Sequence, residues 1–304
     1  MNKKILIIQR RPGIGDMCLF YPCINEICKA FQNFQIILLA SKRSKSDQIL
    51  NDYEDISLIL NYERFRGIVG FFKLLHLIKS NNFDKVIIFH YGIRYYLAAK
   101  LGGAKNFFFY GFKKKNNNIV EQSRELTKKI IAKKKLKFLP VLDHLMDKQV
   151  KKQKKIVFGI GGSGNDKKWK ISNFIELAKK IYNKKKVTFI IAGGKNELKD
   201  FVLMKKNLKD CKLISLCQLS IEESLKYLKN SNFYIGNDTG FMHLCGGINV
   251  KAFGLFGNTP VNYGSYNKNI IPIIPENLDT ISHGSNAMND ICVEHVFNKI
   301  KKLI

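Results

Sequence analysis

The stretch YIGNDTGFMHLCGG, Tyr234–Gly247, joins a short apolar run to an apolar segment of helical length. Asn-Asp-Thr-Gly, residues 237–240, lies at the junction. The free N–H groups and positive dipole end of a helix start bind phosphate groups. Gly240 would admit a ligand close to the backbone, Thr239 would add a hydroxyl group, and His243 lies about one helical turn further on. The stretch predicts a strand followed by an anion-binding helix start. A capped helix with a core or surface histidine fits the same sequence.

Asp238 is the acidic residue of this stretch, and a carboxylate does not attract a bound phosphate. Its side chain could instead cap the helix, orient His243 or accept a hydrogen bond from a sugar hydroxyl. The sequence leaves these roles open. We assign Asp238 to the predicted ligand site together with Thr239, Gly240 and His243.

Short apolar runs alternate with segments of helical length, which indicates an α/β fold with parallel sheets. In the first half we predict strands at Ile5–Gln9, Phe34–Ala40, Ile56–Leu60, Lys85–His90 and Asn106–Tyr110. We predict helices at Asp16–Phe31, Lys45–Leu50, Phe65–Ser80 and Ile93–Leu101, followed by a basic helix at Ile119–Lys135.

The second half restarts the same pattern after a change in composition. We predict strands at Lys155–Ile160, Val187–Ala192, Cys211–Leu216, Phe233–Gly236, Val250–Leu255 and Asn269–Ile274. We predict helices at Ile171–Tyr182, Glu197–Leu208, Ile221–Lys229, Gly240–Gly247 and Asp290–Leu303. The pattern predicts two doubly wound domains, residues 1–150 and 151–304, with a linker near Lys148–Lys154 and binding edges that face a central cleft. The last helix could pack back on the first domain.

The chain has 304 residues and a formal net charge of +28, from 52 Lys and Arg against 24 Asp and Glu. We rank three explanations of this charge. Compositional bias with solvated lysines comes first, binding to an anionic membrane surface or glycolipid second, and binding to nucleic acid third. The lysines are spread along the chain without an accompanying module of arginines and aromatics, so we expect no nucleic acid partner. The sequence shows neither a signal peptide nor a long apolar span, and we expect a cytoplasmic protein.

The seven cysteines form no Cys-x-x-Cys pair, so neither a zinc site nor a disulfide framework is expected. No His-x-x-x-His motif or acidic cluster suggests a metal site, and no Walker-type loop is present. We therefore expect reduced thiols, no metal and no cofactor.

The first predicted strand is followed by RRPGIGD, residues 10–16. Gly13 and Gly15 permit tight turns and the close approach of a ligand. Asp16 is predicted to be a helix N-cap whose free oxygen could take a proton from a substrate hydroxyl. Arg10 and Arg11 could be solvated or could pair with anionic groups of a substrate.

The segment IVFGIGGSG, Ile156–Gly164, contains a Gly-x-Gly-x-x-Gly pattern in a context that does not suit a dinucleotide fingerprint. The predicted helix does not follow the loop directly, and no acid ends the next strand. We predict a phosphate-binding loop formed by Gly161, Gly162 and Ser163, with Lys168 to neutralise the phosphate. Glu197, after the next strand, could accept a hydrogen bond from a ribose or sugar hydroxyl.

Four blocks in this order resemble glycosyltransferase family 9, the heptosyltransferases of lipopolysaccharide core synthesis and their relatives. The blocks are GIGDMCLFYP, GIGGSGNDKKWKISNFIELAKKI, IIAGGKNE and YIGNDTGFMHLCGGINVKAFGLFGNTP. The resemblance covers nearly the whole chain and implies the GT-B fold, with two Rossmann-like domains. It also implies inverting sugar transfer from a nucleotide sugar without a metal.

By this resemblance Asp16 is the general base, Lys168 contacts the donor diphosphate and Glu197 lies near the donor ribose. The donor-binding loop and helix start correspond to Asp238, Thr239, Gly240 and His243. The expected reaction moves heptose from ADP-heptose, or a related sugar, to a lipopolysaccharide-core or other surface-glycan acceptor, with peripheral contact to the inner membrane. The alternatives are a nucleotide-sugar epimerase of the same architecture and a basic nucleic-acid-binding protein.

Overall fold

A computed structural model describes residues 3–51, 53–112, 118–146 and 154–304. The chain divides into two compact units, Met1–Pro140 and Val141–Ile304. Residues 148–153 of the predicted linker lie outside the described residues, and so does the predicted domain boundary between residues 150 and 151.

The first unit contains a five-stranded parallel sheet in the order β3-β2-β1-β4-β5. Its strands are β1 (Lys3–Gln9), β2 (Phe34–Ala40), β3 (Leu58–Asn61), β4 (Lys85–Ile88) and β5 (Asn106–Phe109). Its helices are α1 (Ile14–Ala30), α2 (Ser46–Ile49), α3 (Gly67–Asn81), α4 (Ile93–Leu101) and α5 (Ile119–Ile131). β1 is central and apolar on both faces, since the side chains from Ile5 to Ile8 are fully buried. Such a continuous apolar run is typical of a parallel strand covered by helices on both sides.

The second unit contains a six-stranded parallel sheet in the order β11-β10-β9-β6-β7-β8. Its strands are β6 (Lys155–Gly159), β7 (Thr188–Ala192), β8 (Lys212–Ser215), β9 (Phe233–Asn237), β10 (Lys251–Leu255) and β11 (Ile270–Ile273). Its helices are α6 (Ile171–Lys184), α7 (Leu198–Asn207), α8 (Ile221–Lys229), α9 (Gly240–Gly247), α10 (Asn262–Ser265) and α11 (Val293–Ile300). The prediction of two doubly wound α/β sheets is confirmed.

Each sheet has a topological switch point, where the chain stops adding strands on one side and continues on the other. In the first sheet this point lies between β1 and β4, and in the second between β6 and β9. Ligands of open parallel sheets bind outside the carboxyl ends of the strands at such a point. The RRPGIGD loop follows β1, and the two glycine-containing stretches predicted to bind phosphate follow β6 and β9. The topology therefore brings the predicted site residues of each unit to its switch point.

Two glycines allow β6 and β9 to approach closely at the second switch point. Gly159 and Gly236 are register partners in these strands. A Cβ atom on Gly236 would overlap the backbone of Gly159, and one on Gly159 would overlap the phenol ring of Tyr234. Tyr234 is fully buried, so its ring occupies the space that a larger residue at position 159 would need.

Several predicted helix ends are corrected by the structure. In place of the predicted helix Lys45–Leu50, the chain forms a 3-10 turn at Lys42–Ser44 and then the single α-helical turn of α2. Lys45, in the left-handed conformation, separates the two turns. The predicted basic helix ends at Ile131, where Ala132 takes the left-handed conformation, and does not extend to Lys135.

The terminal helix is shorter than the predicted Asp290–Leu303. A 3-10 turn at Ala287–Asp290 precedes it, and Cys292 is extended and serves as its N-cap. The helix packs on α6 of the second unit, where Lys180 and Glu294 form an ion pair at 2.8 Å. No helix in the described parts of the chain is long and apolar enough to cross a membrane.

The close packing of Gly159 against Tyr234 predicts that a larger residue at position 159 destabilises the second unit. Gly159→Ala is expected to lower the free energy of unfolding of the second unit by about 1–3 kcal/mol, because the buried ring must shift. Urea unfolding followed by fluorescence of Trp169, the single tryptophan, measures this loss. Gly161→Ala is the matched control, since its Cβ would meet its nearest neighbours at 3.6 Å, an ordinary contact. Equal stability of the two variants would contradict the packing argument.

Candidate functional site

The carboxamide of Asn237 ties together the loops at the carboxyl edge of the second sheet. Asn237 ends β9 and is fully buried. Its Nδ2 group donates to the carbonyl oxygens of Ile160 and Gly161 at 3.1 and 2.8 Å. Its Oδ1 atom accepts from the Trp169 N–H at 2.9 Å. One side chain therefore fixes both ends of the glycine-rich loop after β6.

Trp169 anchors the far end of that loop. Its ring is buried in the core of the second unit, and its Nε1 group donates to the Ile291 carbonyl oxygen at 2.7 Å. The ring contacts Phe174 edge-on, with the centroids 5.0 Å apart. These contacts give Trp169 a packing role and hold the preceding residue, Lys168, beside the end of β9.

Lys168 and Glu197 form an ion pair at this edge. Lys168 Nζ lies 2.8 Å from Glu197 Oε1, and the two side chains are 25% and 8% exposed. Glu197 Oε2 accepts from the Gly194 N–H at 2.7 Å. An ammonium group has three donors, so Lys168 can keep this pair and still donate to a phosphate oxygen. The remaining lone pairs of Glu197 can accept from a sugar hydroxyl.

Close packing against glycine positions both side chains. A Cβ atom on Gly162 would lie 2.7 Å from Cγ of Lys168, and one on Gly193 would lie 2.8 Å from Cβ of Glu197. Gly161 is buried, whereas Ser163 is exposed at the loop tip. The glycines therefore leave room for the charged side chains as well as for a ligand.

The start of α9 offers unpaired backbone donors. Thr239 is its N-cap, and the Thr239 side chain makes no capping hydrogen bond. Within the described residues, the N–H groups of Gly240 and Phe241 have no hydrogen-bond partner. The Thr239 hydroxyl lies 3.3 Å from that of Tyr234, which also donates to the Asn237 carbonyl oxygen at 2.8 Å. The first turn of α9 thus presents donors and the positive end of its dipole at the switch point.

Asp238 is not the cap of α9, which removes one of the three roles left open by the sequence. Its Oδ1 atom lies 3.3 Å from Nε2 of His243. The other ring nitrogen of His243 lies 3.1 Å from the Tyr266 hydroxyl, and the two rings stack with centroids 5.8 Å apart. Because both ring nitrogens have partners, the geometry favours mutual orientation of Asp238 and His243 over direct contact of His243 with a ligand.

Asp16 of the first unit is also placed differently from the prediction. The N-cap of α1 is Gly13, and Asp16 lies in the first turn as the acidic partner of a capping box. Its Oδ2 atom accepts from the Gly13 N–H at 3.0 Å, and its Oδ1 atom accepts from Arg11 Nε at 2.5 Å. The expected free carboxylate oxygen is therefore engaged, although each oxygen keeps a second lone pair. With 18% of its side chain exposed, Asp16 remains accessible to a hydroxyl group.

Aromatic residues and a histidine surround Arg10 and Arg11. Burial, followed by the positive charge of Arg10, lowers the pKa of His90 to about 4. Arg11 lowers this pKa by a smaller amount, whereas the hydrogen bond with the Tyr91 carbonyl oxygen raises it. The hydroxyl groups of Tyr62 and Tyr95 lie 2.6 Å apart. Burial raises the pKa of Tyr95 to about 12, which Arg10 opposes. The edge thus combines two cations with a neutral imidazole and a neutral phenol.

The structure gathers the predicted residues into two groups, one in each unit. The group at the first switch point contains Arg10, Arg11, Gly13, Gly15 and Asp16. The group at the second contains Gly161, Gly162, Ser163, Lys168, Glu197, Asp238, Thr239, Gly240 and His243.

Sequence reasoning assigned no site role to Asn237, Tyr234, Tyr266 or His90. A signal existed for His90, because it follows β4, the strand beside β1. None existed for Tyr266, which lies 23 residues from its partner His243.

Metal chemistry has no obvious site in the described residues. Among them, no group of three or more His, Cys, Asp or Glu side chains could hold a metal ion. All seven cysteines are free thiols, and burial raises the pKa of Cys18, Cys23 and Cys28 to about 12.

Two doubly wound sheets, each with polar loops at its switch point, define an α/β protein of the kind that binds ligands at the carboxyl ends of its strands. The model of glycosyltransferase family 9 (heptosyltransferase) matches residues 75–285. The chain belongs to this family and is a glycosyltransferase. A sequence comparison with curated proteins gives no match.

Several solved structures share this fold. E. coli heptosyltransferase WaaC with ADP is 16% identical, with 99% of this chain and 100% of that chain covered and a TM-score of 0.75. E. coli ADP-heptose LPS heptosyltransferase II is also 16% identical, with 99% and 98% covered and a TM-score of 0.77. UDP-GlcNAc 2-epimerase from Methanocaldococcus jannaschii is 15% identical, with 98% and 99% covered and a TM-score of 0.54. At these identities the likeness shows the fold, and the family rests on the family model.

The lowered pKa of His90 predicts a pH dependence of stability. The histidine pKa is near 6.5 in the unfolded chain and about 4 in the folded protein, so the unfolded chain takes up the proton first as the pH falls. The contribution of His90 is full above about pH 6.5 and is lost towards pH 4. Allowing for partial solvent screening, the loss is about 1–2 kcal/mol.

His90→Gln is expected to remove that part of the pH dependence. The measurement is urea unfolding by circular dichroism at pH 7.5 and pH 4.5 for the wild type and the variant. A smaller loss of stability in the variant is the expected result, and an equal loss would show that His90 does not contribute.

Proposed function

We propose that this enzyme transfers heptose from ADP-heptose to a hydroxyl group of a lipopolysaccharide-core or other surface-glycan acceptor, in a single displacement that inverts the anomeric centre and needs no metal. The observation that supports the proposal is the set of Asn237 hydrogen bonds, which holds the loop that carries Lys168, the ion-pair partner of Glu197, at the end of β9 from which α9 begins. Together with the family, this arrangement fits a nucleoside diphosphate sugar.

The donor diphosphate would bind at the first turn of α9 and the Lys168 ammonium group. The free N–H groups of Gly240 and Phe241 would donate to phosphate oxygens, and Lys168 would neutralise the charge that grows as the diphosphate departs. Glu197 would accept a hydrogen bond from the ribose. WaaC has been solved with ADP and with ADP-2-deoxy-2-fluoro heptose, which supports an adenine nucleotide as the donor for this chain.

The acceptor hydroxyl would be deprotonated by Asp16. Single displacement forms the new bond from the acceptor oxygen to the anomeric carbon while the bond to the diphosphate oxygen breaks, and the hydroxyl proton passes to the Asp16 carboxylate. Arg11 would hold the carboxylate in place, and Arg10 would be available to anionic groups of the acceptor. The mechanism requires the acceptor oxygen beside Asp16 to reach the anomeric carbon of the donor with water excluded.

The epimerase is the second candidate, favoured only by the shared architecture. It would convert a nucleotide sugar in the absence of an acceptor, whereas a transferase releases nucleotide when acceptor is added. Nucleic-acid binding is not proposed further, because the chain belongs to an enzyme family of sugar transfer. A cytoplasmic location and contact with the inner membrane are part of the proposal.

Asp16→Asn tests the base. The amide keeps an oxygen that can accept a hydrogen bond but cannot take the proton, so kcat for transfer is expected to fall by about 10²–10⁴. Nucleotide release in the presence of donor and acceptor measures kcat, and calorimetry checks that donor affinity is kept. Asp47→Asn, at an exposed position of α2, is the control. Full activity of Asp16→Asn would remove Asp16 from this role.

Lys168→Met tests the diphosphate contact. Loss of the ammonium group is expected to reduce kcat/KM for the donor by about 10²–10³, because it stabilises negative charge on the leaving group. Lys167→Met, one residue earlier in the same loop, should change kcat/KM less than threefold, the size of an ordinary surface effect. Equal losses in the two variants would point to general electrostatic attraction and away from a specific contact.

A further inference from the structure

The outer face of α3 is apolar at its N-terminal end. Ile68, Val69 and Phe72 are 79%, 67% and 61% exposed. On a helix these positions share one face with Lys73, His76 and Lys79, which are also exposed. The opposite face carries Gly70, Leu74 and Ile78, which are buried on the first sheet. We call the six exposed residues the α3 surface.

Cations flank the apolar end of the α3 surface on both sides. Arg64 and Arg66 precede the helix and are exposed, and the lysines of the α3 surface follow the apolar residues. No Asp or Glu occurs in residues 64–82. The neighbouring acid, Glu63, is occupied, because it accepts from the Ser41 hydroxyl at 2.6 Å and from the Lys42 N–H at 3.0 Å. The positive charge of this surface is therefore not neutralised within the helix.

The apolar end of α3 lies at the edge of the first unit that carries the candidate acceptor residues. In a parallel sheet, helices start at the carboxyl ends of the strands, where Arg10 and Arg11 also lie. Arg94, at the start of α4, donates to the Phe65 carbonyl oxygen at 2.7 Å, which ties the starts of the two helices together. Ile93, the first residue of α4, is 63% exposed and adds to the apolar end.

We propose that the α3 surface docks the first unit on an anionic lipid bilayer. The side chains of Ile68, Val69 and Phe72 enter the boundary between headgroups and acyl chains, and the flanking lysines and arginines pair with anionic headgroups. A lipid surface fits better than a protein partner. Three or four side chains supply much less than the roughly 800 Å² per partner of a standard interface, whereas a basic, acid-free helix face complements an anionic leaflet. The proposal rests on α3 and does not depend on the sugar that is transferred.

The test is co-sedimentation of the full chain with vesicles of phosphatidylcholine alone and of two parts phosphatidylcholine to one part phosphatidylglycerol. The wild type is expected to bind the anionic vesicles and to dissociate on addition of salt. The double variant Ile68→Ser with Phe72→Ser should bind them at least tenfold more weakly, since it removes the inserting groups. Lys73→Gln with Lys79→Gln should weaken binding on the order of tenfold.

Matched controls come from α7 of the second unit. Val202→Ser with Leu203→Ser removes exposed apolar side chains, and Lys205→Gln with Lys206→Gln removes exposed charges. Both should bind the anionic vesicles within twofold of the wild type, because neither pair belongs to the α3 surface. Equal weakening by the α3 and α7 variants would overturn the proposal, and so would equal binding of the wild type to neutral and anionic vesicles. A change in oligomeric mass caused by Ile68→Ser with Phe72→Ser, without vesicle binding by the wild type, would assign the surface to self-association and also overturn it.

Nucleotide release measured without vesicles, with a soluble acceptor fragment, keeps this test separate from the proposed reaction. The α3 variants should retain wild-type rates there, because none of these residues belongs to the candidate site. Vesicle binding without any sugar transfer would overturn the proposed function and leave the docking surface in place.

Discussion

The candidate donor site depends on the hydrogen bonds of one buried carboxamide. Asn237 bonds to Ile160, Gly161 and Trp169 through its side chain. Breaking such bonds leaves buried polar groups unpaired, at a cost of about 1–3 kcal/mol for each group. The Asn237 side chain therefore closes the loop after β6 on the end of β9, where α9 begins, and holds Trp169, the neighbour of Lys168, there.

The two units use the same topological device for different chemistry. In each unit, the chain first adds strands on one side of the unit's first strand and then continues on the other side. The loops that follow the two neighbouring parallel strands lie together at this point. The first unit places a carboxylate held by an arginine at this point, and the second places a lysine held by a carboxylate beside a helix start. A proton acceptor in one unit and anion-binding donors in the other are the two requirements of the proposed displacement.

Local pattern was sufficient to predict the two α/β sheets and most of their strands and helices. The helix Gly240–Gly247 and the strand Phe34–Ala40 have the predicted boundaries, because apolar runs and glycine junctions mark both ends. The alternation of strands and helices also indicated which loops share an edge of each sheet.

Contacts between distant residues could not be predicted. Asn237 and its acceptor Gly161 are 76 residues apart, and Lys168 and Glu197 are 29 apart. No periodicity relates such pairs. The misplaced cap of α1 has a different cause, since an aspartate in the first turn can reach back to the N-cap N–H as well as occupy the N-cap itself.

The central claim is that a donor diphosphate binds where the loops after β6 and β9 meet. A crystal structure of the enzyme with ADP tests it most directly. The account predicts phosphate oxygens within about 3 Å of the Gly240 N–H and of Lys168 Nζ, with the Asn237 hydrogen bonds unchanged. A diphosphate bound at any other edge of the second sheet, with Lys168 still paired only to Glu197, would contradict it.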